Sequence, residues 1–263
     1  MGHEDFVQAL TQVYLSNPCQ VLPTPLWKML PRLQGLETAV THDDQQITRL
    51  EAWQGDDLAI YWRRSGRRPS PLINRRLEFQ QSAVIHQDFL DAPTVAGFGN
   101  FSSFYRLKFE GPLRDVPEAP DEIRLASVME SSGEAQAIAE QIGESGQDSL
   151  SGIRDWLNSP NFTPDLWLWA IDDSTEQPVG IGVGEIDSEF REAAILGVQV
   201  LPDCRNRGIG RALVQELLRR IGDRASFTTV FGPVEDRENP GAFFRKCGFS
   251  GDDVWWFLRR SGD

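Results

Sequence analysis

Cysteine is scarce in this chain. Cys19, Cys204 and Cys247 stand far apart, odd in number and without metal-ligand spacing. That excludes a disulfide framework and argues against a structural metal, so no metal is expected and the thiols read as free in a reducing cytoplasm. Long hydrophobic runs are also missing. Phe6 to Leu15 is interrupted by Gln8, Thr11 and Gln12, so no signal peptide is expected. Nothing approaches the roughly 20 apolar residues that a membrane-spanning helix needs, so no membrane partner is expected either. Basic charge is in deficit: the net charge is −13, with 12 basic and 14 acidic side chains in residues 1–120 against 14 and 25 in residues 121–263. An acidic C-terminal half repels phosphates, which removes nucleic acid from the expected partners. Its charge either steers a cationic ligand or serves only to keep the surface soluble. Tyrosine is absent from residues 121–263, since Tyr14, Tyr61 and Tyr105 all precede them.

What remains is a soluble globular composition, 40% apolar and 25% charged, over 263 residues. That length accommodates two domains. The segment Gly111-Pro112-Leu113-Arg114-Asp115-Val116-Pro117-Glu118-Ala119-Pro120 carries three prolines, which resist both helix and central strand and read as a stiff linker. Residues 1–115 are therefore expected to form an N-terminal α+β domain and residues 121–263 a second domain. In the first, Phe6 to Leu15 and Pro25 to Leu30 read as helices. Glu37 to Val40, Ile47 to Trp53, Leu58 to Trp62, Ala83 to Ile85 and Phe104 to Phe109 read as strands, with Asp43-Asp44 a hairpin turn. It shows no glycine-rich phosphate loop and no internal repeat. A degenerate second half resembling residues 121–263 and an unrelated small α+β domain both fit.

In the second domain the pattern predicts strands at Ile123–Val128, Leu166–Ile171, Val179–Ile186, Ala193–Val200, Phe227–Phe231 and, closing the sheet, Val254–Leu258. Helices are expected at Gly133–Ile142, Leu150–Leu157 and Gly210–Ile221, the last with Leu213, Val214, Leu217, Leu218 and Ile221 on one face. A mixed sheet flanked by helices is implied. The informative stretch runs from Val198 to Leu213: an apolar strand, a basic loop with Gly208 and Gly210, then an amphipathic helix. Backbone N–H groups at a helix start have no intrahelical partner, and the helix dipole adds partial positive charge. The two glycines admit a ligand close to the backbone, and Arg205, Arg207 and Arg211 add forked cationic donors suited to phosphate. The loop is built for a pyrophosphate.

About thirty residues on, Asn239-Pro240-Gly241-Ala242-Phe243-Phe244-Arg245-Lys246-Cys247-Gly248-Phe249 forms a short helical block closed by glycine. Together the two blocks resemble the signatures of the GNAT acyl-CoA N-acyltransferases. Gln/Arg-x-x-Gly-x-Gly/Ala is matched by Arg205, Gly208 and Gly210. The later block is matched by Asn239, Ala242, Phe244 and Gly248-Phe249. The resemblance covers about Asp121 to Arg260 and implies an α/β (α+β) fold with a mixed, splayed sheet flanked by helices. It also implies acetyl-CoA as co-substrate and an amine acceptor, a small molecule or a peptide.

On that resemblance the pantetheine lies along Leu196–Val200, where the strand splays from Phe227–Phe231, and the backbone groups of Val198 and Val200 hold its amides. Gly232-Pro233 aids the splay by removing a ladder donor. The coenzyme-binding set is Val198, Gln199, Val200, Arg205, Asn206, Arg207, Gly208, Ile209, Gly210, Arg211, Asn239 and Phe244. An ammonium acceptor must lose a proton, its pKa being about 10. Glu192 and Glu185 are the candidate bases, with Asp187 nearby; Glu192 shares strand parity with Ala194, the position nearest the family's usual base. Trp156, Phe162, Trp167 and Trp169 are candidates to line the acceptor pocket, with core packing the competing role.

Most relatives carry Tyr where this chain has Phe244, so protonation of the leaving thiolate has three routes. The thiolate leaves unaided, a tyrosine of the N-terminal domain serves it, or the domain binds coenzyme without rapid transfer. The first is adopted. No cysteine sits as a nucleophile, so transfer is expected to be direct, in a ternary complex. The rival reading is a catalytically weak acetyl-CoA or CoA-binding sensor. For the N-terminal domain, capping the site, stabilising it and forming a homodimer stay open.

Overall fold

The computed structural model describes residues 3–64, 73, 76–78, 80–113, 119–127, 162–236 and 239–261. The expected helices Gly133–Ile142 and Leu150–Leu157, with Trp156, lie outside the described residues, as does 114–118 of the linker. The chain groups into two compact units: Met1–Lys108 with Phe231–Asp263, and Phe109–Val230. The first passage between them, at Lys108, lies just before the proline-rich segment. The second falls at Val230, inside a strand.

The first unit begins with helix α1 (His3–Ser16), which buries Phe6, Leu10, Val13 and Tyr14 at helical spacing. Single-turn helices at Pro18–Val21 and Leu26–Met29 follow. The strands are β1 (Glu37–Asp43), β2 (Gln46–Gln54), β3 (Asp57–Arg63), β4 (Ser82–His86) and β5 (Gly99–Phe109). The β1–β2 hairpin turns at Asp44 and Gln45, both with positive φ (44° and 68°), one residue later than Asp43-Asp44. Two left-handed central residues give the turn a twist that matches the strands it joins.

Arg106 on β5 is fully buried. Its Nη1 donates to the carbonyls of Pro18 (2.8 Å) and Leu22 (2.6 Å), and its Nη2 to the Tyr14 hydroxyl (2.7 Å). One guanidinium thus satisfies carbonyls at both ends of the Pro18–Val21 helix that would otherwise be costly to bury.

The second unit contributes β6 (Ile123–Ser127), β7 (Phe162–Asp172), β8 (Gln177–Asp187), β9 (Glu192–Val200), helix α2 (Ile209–Ile221) and most of β10 (Phe227–Pro233). Its strand order is β10-β9-β8-β7-β6, with β9–β10 parallel and the rest antiparallel. Gly180, Gly182 and Gly184 alternate along β8 and so share the face against which α2 packs. A Cβ on Gly182 would come within 3.2 Å of Leu217 and 3.4 Å of Leu213. The opposite face carries Ile181 and Val183, in one core cluster with Ala126, Trp167, Trp169 and Ile171. Trp167 and Trp169 are therefore core residues, each 2% exposed. Gly182→Val drives two methyls into α2 and is expected to destabilise the protein by about 1–3 kcal/mol in chemical denaturation, the usual cost of overpacking.

Helix α3 (Pro240–Lys246) and β11 (Ser250–Arg260) return to the first unit. The expectation that Val254–Leu258 closes the C-terminal sheet is corrected here. β11 lies between β4 and β5, antiparallel to both, with Trp255 opposite His86 and Phe104. The physical reason is Trp255. Its ring meets His86 edge-on at 5.3 Å, and its indole N–H donates to the Cys19 carbonyl at 2.8 Å. The first unit's strand order is β1-β2-β3-β4-β11-β5. The fold is α+β, with mixed sheet and flanking helices, as expected. Among the described residues no helix is long and apolar enough to cross a membrane.

Candidate functional site

Strand β9 carries two irregularities that no local pattern announces. Ile195 pairs with Gly184 and Gly197 with Val183, so Leu196 is an extra residue, a bulge. On the other edge, pairing with β10 covers only Glu192–Ile195 against Phe227–Val230 and ends where the bulge begins. Exposure follows: Ala193, Ala194 and Ile195 are buried, whereas Leu196 to Val200 are half-buried or exposed. A Cβ on Gly197 would meet nothing within 4 Å. The Leu201 N–H bonds to Val179 across β8 at 2.9 Å. By strand alternation the backbone groups of Val198 and Val200 are then directed to the open edge.

The strand runs into a one-turn 3₁₀ helix, Pro202–Cys204, and then the basic loop. Asn206 (φ 61°) and Gly208 (φ 87°) are left-handed. Such alternation turns successive N–H groups toward one concavity, a form that binds anions. Gly208 precedes α2 as its N-cap and, lacking a side chain, offers no cap bond. The first helical bond is Ala212 N–H to the Gly208 carbonyl, so the N–H groups of Ile209, Gly210 and Arg211 precede the helical ladder. Arg205, Asn206, Arg207 and Arg211 are exposed around them, and Gly210 is half-buried. Arg205 Nε donates to the Val200 carbonyl at 3.1 Å, and Arg207 Nη2 to Glu122 Oε2 at 3.2 Å. The Gln199 side chain is exposed beside this edge.

The two candidate carboxylates lie on the sheet face opposite α2. Glu185 is directly opposite Ala194, and Glu192 is opposite Asp187, so the two are diagonal neighbours on one face. Glu185 is 1% exposed and Glu192 0%. The Thr229 hydroxyl, on β10 beside Ala194, donates to Glu192 Oε1 at 3.2 Å. Asp187 has a structural task, with its Oδ1 accepting the Phe190 N–H at 2.9 Å in the β8–β9 turn. Thus Glu185, Glu192, Val198 to Val200 and Arg205 to Arg211 belong to one unit, while Asn239 and Phe244 belong to the other.

Asn239 (φ 47°) caps α3, its Oδ1 accepting the Ala242 N–H at 3.2 Å. Phe244 is buried, edge-on to Phe243 and Phe249. In the same unit, Tyr105 fills the space beside two glycines. A Cβ on Gly232 would lie 2.7 Å from its Cζ, and one on Gly241 3.3 Å from its Cδ1. Gly232 is needed for that approach, a role its sequence context does not reveal. Burial, with Asp236 adding to it and Arg245 opposing, pushes the phenol pKa far above its ordinary value, so Tyr105 stays protonated. Thr229, Glu122 and the Leu196 bulge were also missed by sequence reasoning. None of these left a local signal, since β10 carries Thr228 and Thr229 side by side and both are buried. Among the described residues no group of three His, Cys, Asp or Glu side chains is placed to hold a metal ion.

Residues 135–249 match the model of the acetyltransferase (GNAT) family. The chain is similar in fold to a GCN5-related N-acetyltransferase from Sphaerobacter thermophilus, at 16% identity and a TM-score of 0.61, over 91% of this chain and 87% of that one. An acetyltransferase of the GNAT family from Colwellia psychrerythraea matches at 10% identity and TM-score 0.60, covering 97% of each chain. A tandem GNAT protein from the clavulanic acid biosynthesis pathway matches at 13% identity and TM-score 0.56, over 99% of this chain and 96% of that one. At these identities the likeness is one of fold. No curated protein sequence matches the chain.

Proposed function

We propose that this protein transfers an acetyl group from acetyl-CoA to an amine, directly and in a ternary complex; the match of residues 135–249 to the model of the acetyltransferase (GNAT) family supports the reading. The observation that carries the reading is a single continuous stretch. A strand edge left unpaired from Leu196 on runs straight into a left-handed, arginine-flanked loop at an uncapped helix start. Extended pantetheine suits the edge, and pyrophosphate suits the loop.

In this reading Val198 N–H holds the thioester oxygen and stabilises the oxyanion formed on attack. Glu185 or Glu192 takes the acceptor's proton, and the thiolate, with a pKa of about 8.5, leaves without a protein donor. Direct transfer agrees with the cysteines, since Cys19 and Cys247 are buried and Cys204 belongs to the loop. That Cys19, Cys204 and Cys247 form no disulfide agrees with a cytoplasmic location. The match to a tandem GNAT protein over almost the whole chain favours an acyltransferase-like N-terminal half that lacks the phosphate loop.

The buried, apolar setting of Phe244 favours a second reading, a coenzyme-binding sensor that turns over slowly. Both readings are tested by amine-dependent release of CoA thiol across polyamines, amino acids, peptides and aminoglycosides. Direct transfer is expected to give intersecting double-reciprocal lines. Parallel lines with a trapped acyl-enzyme would overturn it, and saturable binding without turnover would select the sensor.

A further inference from the structure

One carboxylate stands in direct contact with the basic loop. Pro120 and Glu122 are held beside it by backbone bonds: Ile123 N–H to the Pro120 carbonyl (2.8 Å) and Asp173 N–H to the Glu122 carbonyl (3.0 Å). The Pro120 ring lies 3.9 Å from where a Cβ on Gly208 would be. Glu122 Oε2 receives Arg207 Nη2 at 3.2 Å, with the two side chains 72% and 40% exposed. Of the neighbouring acids, Asp172 also feels the charge of Arg207, behind its bonds to Ser174 and Thr175. Asp173 and Glu176 bind Arg124 at 3.2 and 3.0 Å, and Asp172 accepts the Ser174 N–H at 2.9 Å. Arg207, one of the loop's cations, therefore already has an internal anion before any phosphate arrives.

We propose that Glu122 is an internal competitor for Arg207, one that weakens the hold on the coenzyme's pyrophosphate and speeds release of CoA. The inference rests on the coenzyme reading of the loop. An arriving phosphate must displace Glu122 from Arg207, and it then stays close to a carboxylate whose main chain is held in place by backbone bonds. When the product leaves, Glu122 recaptures Arg207, so the departing ligand loses one cationic contact early. The pair is exposed, which limits the effect to the range of surface ion pairs.

The test is calorimetry and stopped-flow dissociation of CoA itself, at low ionic strength where screening is weak. Wild type, Glu122→Gln, Arg207→Gln and the double variant would be compared. Glu122→Gln is expected to bind CoA about 1.5- to fivefold more tightly, mainly through slower release, with an unchanged melting temperature. Arg207→Gln should weaken binding, and in that background Glu122→Gln should have no further effect. Unchanged or weaker binding by Glu122→Gln, or tightening that persists without Arg207, would overturn the competitor role while leaving the coenzyme reading intact. Failure of all four proteins to bind CoA would overturn the coenzyme reading, and the competitor role with it.

Discussion

Gly210→Trp is expected to lower acetyl-CoA affinity at least about hundredfold in calorimetric titration, with little change in unfolding temperature. Gly210 lies in the first turn of α2, half-buried, one residue past the buried Ile209 and two past the left-handed Gly208. Its N–H is among those that precede the helical ladder, and its missing side chain leaves the approach to them open. An indole there covers the concavity formed by Asn206, Gly208 and the helix start. Several charge-assisted N–H bonds are then lost together, each worth about 1.5–3 kcal/mol when the acceptor is ionised. The fold is spared, because tryptophan is a better helix former than glycine. Binding by wild type that survives in the variant would place the coenzyme elsewhere. A folded wild type that binds nothing would reduce the loop to a tight strand-to-helix turn.

The loop and its helix were legible because their determinants are local. Glycine spacing, arginine density and the apolar stripe of Leu213, Leu217 and Ile221 all lie within a few turns, and the expected start at Gly210 differs from Ile209 by one residue. Strands β7 to β10 were legible for the same reason, as short apolar runs between turn residues. Pairing was not. That β11 lies between β4 and β5 depends on Trp255 reaching His86 and Cys19, contacts between segments far apart in the chain. The grouping of residues beyond Val230 with the N-terminal segment follows from those same contacts, so a proline-rich stretch could mark only one of the two passages between units. The Leu196 bulge is invisible in a strand whose apolar residues suit either register. Glu122 reads as an ordinary residue before a strand, and only the fold sets it beside Arg207.

Glu185→Gln is expected to lower kcat by about 10²–10⁴ with the KM for acetyl-CoA within a few-fold of wild type, the loss typical of removing a general base. Both buried carboxylates share the face opposite α2, but they stand at different distances from the open edge. Glu185 is level with Ala194, two residues from the Leu196 bulge, which is about 7 Å along the strand. Glu192 is four residues away, about 13 Å, and receives the Thr229 hydroxyl. On the proposed function, proximity to the open edge therefore assigns proton acceptance to Glu185 rather than Glu192. Glu192, farther from the edge and bonded by Thr229, is expected to affect binding of the amine more than the chemical step. Glu192→Gln keeps an oxygen for Thr229 and should chiefly raise the KM of the amine. In Glu185→Gln the amine must lose its proton in solution, so the residual rate should climb with pH toward the ammonium pKa of about 10.4. A kcat loss carried by Glu192→Gln alone would reverse the two assignments. Full activity in both variants would show that the acceptor sheds its proton to solvent or arrives neutral.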